Sequence, residues 1–150
     1  MPYDARQAAN WFIRRAARDG RVLSVMSILK LAYIAHGHYL AQKGEPLFTN
    51  KIEAWRYGPV IVGVYEDFRK QGMEVSRPLS NFAEIDDPSD VAVLEEVWKR
   101  YGDFRPFQLS KLTHVRNGPW DLATKIGGWY ASIPPALIEQ HYRAKERQHA

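Results

Sequence analysis

No cysteine occurs in this chain. Its absence excludes a disulfide framework, a thiolate nucleophile and any zinc site built on sulfur. A long apolar run is missing too. The longest, Leu23 to Tyr39, is interrupted by Lys30, His36 and His38. That falls short of the roughly 20 predominantly apolar residues a membrane-spanning helix needs. Dense runs of one charge are also absent: the net charge is +4, and the lysines and arginines are spread along the chain. A basic balance is compatible with nucleic acid or an acidic protein, but without a cluster a solvated basic surface is the simpler reading. There is no phosphate-cradling glycine loop and no nucleophile-elbow serine, and Gly127-Gly128 reads as a helix stop. The segment Met1 to Arg18 carries Asp4, four arginines and scattered apolar residues, unlike an export signal. These gaps together predict a cytoplasmic protein with no membrane association, no cofactor, no metal and no enzymatic machinery.

What is present suffices for one folded domain over residues 1–150. Of the 150 residues 45% are hydrophobic, enough for a core without covalent staples, and 25% are charged, as in an ordinary soluble domain. No repeat or low-complexity linker divides the chain. A first helix is expected from about Ala5 to Asp19, with Asp4 as N-cap and Gln7 completing a capping box. Ala9, Phe12, Ile13 and Ala16 form its buried stripe, and Gly20 ends it. A second helix is expected from Val25 to Lys43, between Ser24 as N-cap and Gly44 as stop. It is apolar nearly all round, so it belongs at the centre of the fold with the other elements wrapped about it.

Lys51 to Arg56 alternates as a short strand, and Gly58-Pro59 reads as a strand-to-helix turn with Pro59 at the first position of a third helix reaching Gln71. The free backbone N–H groups of such a helix start could receive an anion. A short strand is allowed within 74–79. Asp87-Pro88 opens a fourth helix ending near Tyr101, with Glu95–Lys99 and Glu96–Arg100 as surface pairs. Two shorter helices follow, about Pro106 to His114 and Pro119 to Ile126, separated by Asn117-Gly118, and a last one starts near Pro134. The class is mainly α: a compact multi-helix domain around a central apolar helix, with at most a small hairpin or short strands.

Candidate sites are few. His36 and His38 are two apart on a helix, on nearly opposite sides, and cannot share an ion as an i,i+4 pair can. Glu84, Asp86, Asp87 and Asp90 lack the glycine and terminal glutamate of a calcium loop, and serve a helix N-terminus instead. The five tryptophans fall in different elements, so most are core and one or two are left to grip a partner. The arginines of the first helix, Arg6, Arg14, Arg15 and Arg18, could meet an acidic protein face.

Three segments carry a resemblance. They are LKLAYIAHGHYLA from Leu29 to Ala41, EAWRYGPV from Glu53 to Val60 followed by Val64-Tyr65, and LSKLTH from Leu109 to His114 followed by Pro119-Trp120. In this order and spacing the chain resembles the Panacea domain, the SocA-like antitoxin family, from about Ala8 to Tyr142. The resemblance implies a protein encoded beside a toxin gene that neutralises the toxin by direct contact. One branch of the family also delivers its toxin to a ClpXP-type protease, and others are associated with phage. The matching positions Trp55, Tyr57, Gly58, Pro59, His114, Arg116, Pro119 and Trp120 become the candidate partner-binding or motif residues. At Arg116 the family motif often carries an acid, so the charge is reversed here. His114 is expected to bond across the Asn117-Gly118 break and to brace Trp120.

A DNA-binding autoregulator of its own operon is the alternative, because Leu109 to Ala123 could mimic a helix-turn-helix. Its second helix offers only Asp121, Thr124 and Lys125 for base readout, which argues against a nucleic-acid partner. The identity of the toxin and the oligomeric state are not encoded in any of these features.

Overall fold

The computed structural model describes residues 2–148. Among them are seven helices and five short strands. The helices are α1 (Ala5–Arg18), α2 (Val25–Lys43), α3 (Val62–Phe68), α4 (Pro88–Tyr101), α5 (Pro106–Thr113), α6 (Pro119–Gly127) and α7 (Pro135–Gln148). The strands are β1 (Leu23–Ser24), β2 (Ile52–Trp55), β3 (Gly58–Ile61), β4 (Glu74–Val75) and β5 (Ala131–Ser132).

Helix α2 has the expected boundaries. The Ser24 side chain accepts from the Ser27 N–H, and Gly44 closes the helix in the left-handed region at φ 70°. Fifteen of its 19 residues are buried. A helix with no polar face cannot rest on one neighbour, and α1, α4, α5, α7 and β3 all pack against it. Its partnership with α7 depends on Gly37. The Tyr142 ring lies so close that a Cβ at position 37 would overlap it. Helix α1 begins with the Asp4–Gln7 capping box and buries Ala5, Ala8, Ala9, Phe12, Ile13 and Ala16. Helix α4 starts at Pro88 with Asp87 as N-cap.

The third helix departs from expectation. Pro59 lies in strand β3, and α3 begins only at Val62. β2 and β3 form an antiparallel hairpin in which Trp55 faces Gly58 and Ala54 faces Pro59, leaving Arg56 and Tyr57 as its two-residue loop. The sheet order is β3-β2-β5, so Pro59 sits on an edge strand, where a missing N–H is tolerated. The anion-receiving helix start at Pro59 therefore does not exist. Beyond α3 a single 3-10 turn covers Arg69–Gln71, and β4 pairs with β1.

Charge pairing differs as well. Glu95 meets Arg15 of α1 at 3.2 Å, because α1 packs beside α4, while the Glu96–Arg100 pair forms as expected. Arg6 is held by Asp4 and Asp67, and Arg14 by Glu84, so three of the four α1 arginines are engaged within the chain. The acidic cluster is dispersed into structural roles. Asp87 caps α4, and Asp90 accepts from Tyr3, Tyr39 and Lys43. His36 stacks on Phe48 with centroids 4.2 Å apart, and burial pushes its pKa down to about 4, so its ring is neutral. His38 points to the other side of α2 and contacts Glu146 at 2.5 Å. Among the described residues no helix is long and apolar enough to cross a membrane.

Candidate functional site: a hairpin tip fixed from behind

The three resembling segments meet at Gly58. Its φ of 120° is open to glycine and strained for any other residue. The space a side chain would fill is already taken: an ideal Cβ would lie 2.9 Å from both His114 Cε1 and Lys30 Nζ. Lys30 comes from the middle of α2 and is fully buried, and its amine donates to the Pro59 carbonyl at 3.0 Å. Burial lowers its pKa from 10.5 to about 8. Sequence reading missed this residue, treating it as an interruption of an apolar run. The signal was available: a lysine centred in an all-round apolar helix must find an acceptor inside the protein.

His114 follows α5 as its C-cap. Its Nδ1 is 2.6 Å from the Ser110 carbonyl. A carbonyl only accepts, so Nδ1 is the donor in this contact. The expected bond across the 117–118 break is therefore replaced by one to the preceding turn of α5. The break is made by Asn117, at φ 64°, whose N–H donates to Asp121 at 2.8 Å, whereas Gly118 has an ordinary extended backbone. The bracing of Trp120 does occur. The two rings meet edge to face at 4.3 Å, and Trp120 Nε1 donates to the Trp55 carbonyl at 2.7 Å. Pro119 is buried at the first position of α6 and sets Trp120 one residue into the helix.

Lys30, His114 and Trp120 thus grip the hairpin from behind at Pro59, Gly58 and Trp55. Of the expected residues, Trp55, Gly58, Pro59, His114, Pro119 and Trp120 are assembled in this grip. Tyr57 is 70% exposed at the hairpin tip, and Arg116 is exposed beyond α5. Two clefts flank the tip. One, of about 360 Å³, is lined by Met26, Tyr57, Pro106, Phe107 and His114 among others. The other, of about 320 Å³, is lined by Trp55, Arg56, Tyr57, Trp129 and Tyr130. Trp129 and Tyr130, which sequence reading left unassigned, are half or more exposed. Among the described residues no group of three or more His, Cys, Asp or Glu side chains could hold a metal ion.

The chain is thus a mainly helical domain built on an enclosed helix, with a hairpin clamped from that helix and an aromatic tip facing out. The family model described as "Antitoxin SocA-like, Panacea domain" matches residues 28–121. The Antitoxin SocA of Caulobacter vibrioides (strain NA1000 / CB15N) is 32% identical over 130 residues, covering 79% of this chain and 69% of that protein. The chain belongs to the SocA-like, Panacea-domain antitoxin family. No solved structure matches it.

Proposed function

We propose that this protein is an antitoxin that neutralises a cognate protein toxin by direct contact, without chemistry of its own. The observation that carries the reading is the convergence of the family's three motif segments on one rigid mount for an exposed hairpin. Lys30, His114 and Trp120 are committed to holding the backbone of residues 55–59. Such an arrangement suits recognition, where a pre-set surface reduces the entropy lost on binding. It does not suit turnover, because Lys30 and His114 have no nucleophile or acid partner to work with.

Delivery of the bound toxin to a ClpXP-type protease is a finer step of the same reading, compatible with a surface that binds a toxin while leaving the rest of the domain free. The DNA-binding alternative has less support. In α6, Lys125 is paired with Asp121 at 2.9 Å, which removes the cation a recognition helix would offer.

The test is co-expression with the toxin-gene product encoded beside this chain. Growth rescue together with a stable co-purifying complex is expected. Rescue without a complex, or a complex without rescue, would refute neutralisation by contact. For the protease step, the toxin's half-life is measured with and without the antitoxin in cells carrying and lacking ClpX. A half-life that does not depend on ClpX removes it.

A further inference from the structure

Among the described residues seven large apolar side chains are exposed; Val22, Met73 and Ile126 stand apart, and the other four gather at the hairpin tip. Trp129, Tyr130, Tyr57 and Phe107 are each at least half exposed, and the two clefts share Arg56 and Tyr57, so the four aromatics form one strip across the hairpin tip. Single exposed apolar residues need no explanation, but a contiguous row of aromatics does. Two further features mark the strip as built.

The first is backbone strain. Tyr130 has φ 65°, the left-handed region, which a bulky L residue adopts at a cost of about 1–2 kcal/mol. Its N–H donates to the Ala54 carbonyl at 2.8 Å, and its ring meets Trp55 edge to face at 5.6 Å. The ring stays 64% exposed, so burying it does not offset the strain. Strain of this kind concentrates where a surface is held ready for a ligand.

The second is charge. The Arg56 guanidinium lies 5.8 Å from the Trp129 ring centroid, and the Lys111 amine lies 5.6 Å from that of Phe107, one cation at each end of the strip. Neither forms an ion pair among the described residues, and nor do Arg105 and Arg116 near the two ends of α5. The neighbouring carboxylates are already engaged: Glu53 by Lys51 and the Trp55 indole, Asp121 by Lys125 and the Asn117 N–H. The strip therefore presents unpaired positive charge and aromatic faces with no free negative charge beside them.

We propose that this strip is the toxin-docking surface, and that its occupant is an acidic segment of the toxin bearing two bulky apolar side chains, one seated in each cleft on either side of Tyr57. The proposal rests on the antitoxin reading and gives it a location and a partner chemistry. The Phe107 cleft is lined almost wholly by apolar surface, so a bulky apolar side chain seats there without leaving a polar group unpaired. Arg56 and Lys111 then meet carboxylates flanking the two inserted residues. Tyrosine, tryptophan and arginine are the residue types that dominate binding hot spots, and all three stand together here.

The experiment measures toxin binding and growth rescue, with the toxin encoded beside this chain as the probe. Tyr57→Ala, Arg56→Glu and Lys111→Glu replace exposed side chains, so circular dichroism and urea midpoints should match wild type. Each is expected to weaken binding at least tenfold. Lys70→Glu and Lys99→Glu, exposed cations elsewhere, should change it less than twofold. Raising salt from 50 to 500 mM should weaken wild-type binding and leave Arg56→Ala/Lys111→Ala nearly unaffected. Should wild type bind and rescue while all three strip variants behave like it, the docking surface lies elsewhere and the antitoxin reading survives. Failure of wild type to bind or rescue rejects the antitoxin reading itself. A 20-nucleotide oligothymidine that binds wild type at micromolar or better, and loses binding in Tyr57→Ala, would assign the strip to single-stranded nucleic acid and overturn the proposal.

Discussion

Replacing Lys30 by methionine tests the physics of the hairpin mount directly. The lysine is fully buried, its amine donates to the Pro59 carbonyl, and its pKa is lowered to about 8. A cation with a depressed pKa destabilises the native state wherever the unfolded chain holds the proton more tightly. Below pH 8 both states are protonated, and the folded state bears the full cost of burying the charge, about 3 kcal/mol. Between pH 8 and 10.5 the folded lysine releases its proton first, and that cost fades as pH rises. Methionine has nearly the same shape and no charge, but leaves the Pro59 carbonyl without its donor, a loss of about 1–3 kcal/mol. Near pH 7 the two effects nearly cancel, so Lys30→Met and wild type should have similar stability. From pH 7 to 9.5 wild type should gain about 2 kcal/mol on the variant, a shift of roughly 1 M in the urea midpoint for a domain of this size. The comparison uses the difference between the two proteins at each pH, so titrations common to both cancel. A difference that stays flat from pH 7 to 9.5 would refute the buried, weakened amine. One that moves in favour of methionine would reverse the sign of the argument.

Three further variants probe the rest of the frame. Gly58→Ala must place a Cβ at φ 120° and 2.9 Å from His114 and Lys30, so a loss of about 2–4 kcal/mol is expected in chemical denaturation, with a changed tryptophan fluorescence from Trp55 and Trp120. Gly37→Ala gains about 1 kcal/mol of helix propensity but forces the Tyr142 ring out of its seat, for a net loss of about 2 kcal/mol; a stabilised variant would show that α7 does not pack on α2 as described. Asp90→Asn removes the charge on which Tyr3, Tyr39 and Lys43 converge. Burial opposes that charge, but the three donors outweigh it and hold the Asp90 carboxyl below its ordinary range, so the stabilisation exists above about pH 4 and is lost as pH falls through the lower folded pKa. The variant should be about 2 kcal/mol less stable at pH 7, with the gap closing as pH falls below the ordinary carboxylate range.

The helical frame was legible because its signals are local. Asp4 with Gln7, Ser24, Gly44 and Asp87-Pro88 are capping and stop residues whose effect depends on a few neighbours in sequence, and each acts in the structure as read. The enclosure of α2 followed from composition alone, since a helix without a polar face has no stable position at the surface. The hairpin was misread for a local reason too. Glycine before proline serves a helix start and an edge strand equally well, and the choice was made by β2, which pairs with Pro59's strand, and by Lys30, which binds its carbonyl from 29 residues away. The arginines of α1 looked available for a partner because their acids, Asp67, Glu84 and Glu95, are far off in sequence. One or two exposed tryptophans were expected, but that Trp129 is one of them, with Tyr130 beside it, was not legible because burial of an aromatic is a tertiary property, and the left-handed turn at Tyr130 has no composition cue.

The placement of the motif residues separates two quantities that single-site variation usually mixes. Gly58, Pro59, Lys30, His114 and Trp120 are bound to one another, so changing any of them alters the backbone of residues 55–59 and with it the stability of the domain. Arg56 and Tyr57, lying between those clamped positions in sequence, have side chains in solvent and contribute little to folding. A chain built this way can exchange its tip residues without rearranging its core. The double substitution Arg56→Glu/Tyr57→Phe should therefore leave the stability read from urea denaturation within about 0.5 kcal/mol of wild type while abolishing rescue from the native toxin. If the double variant instead unfolds, the tip is part of the scaffold, and its side chains cannot be varied independently of the fold.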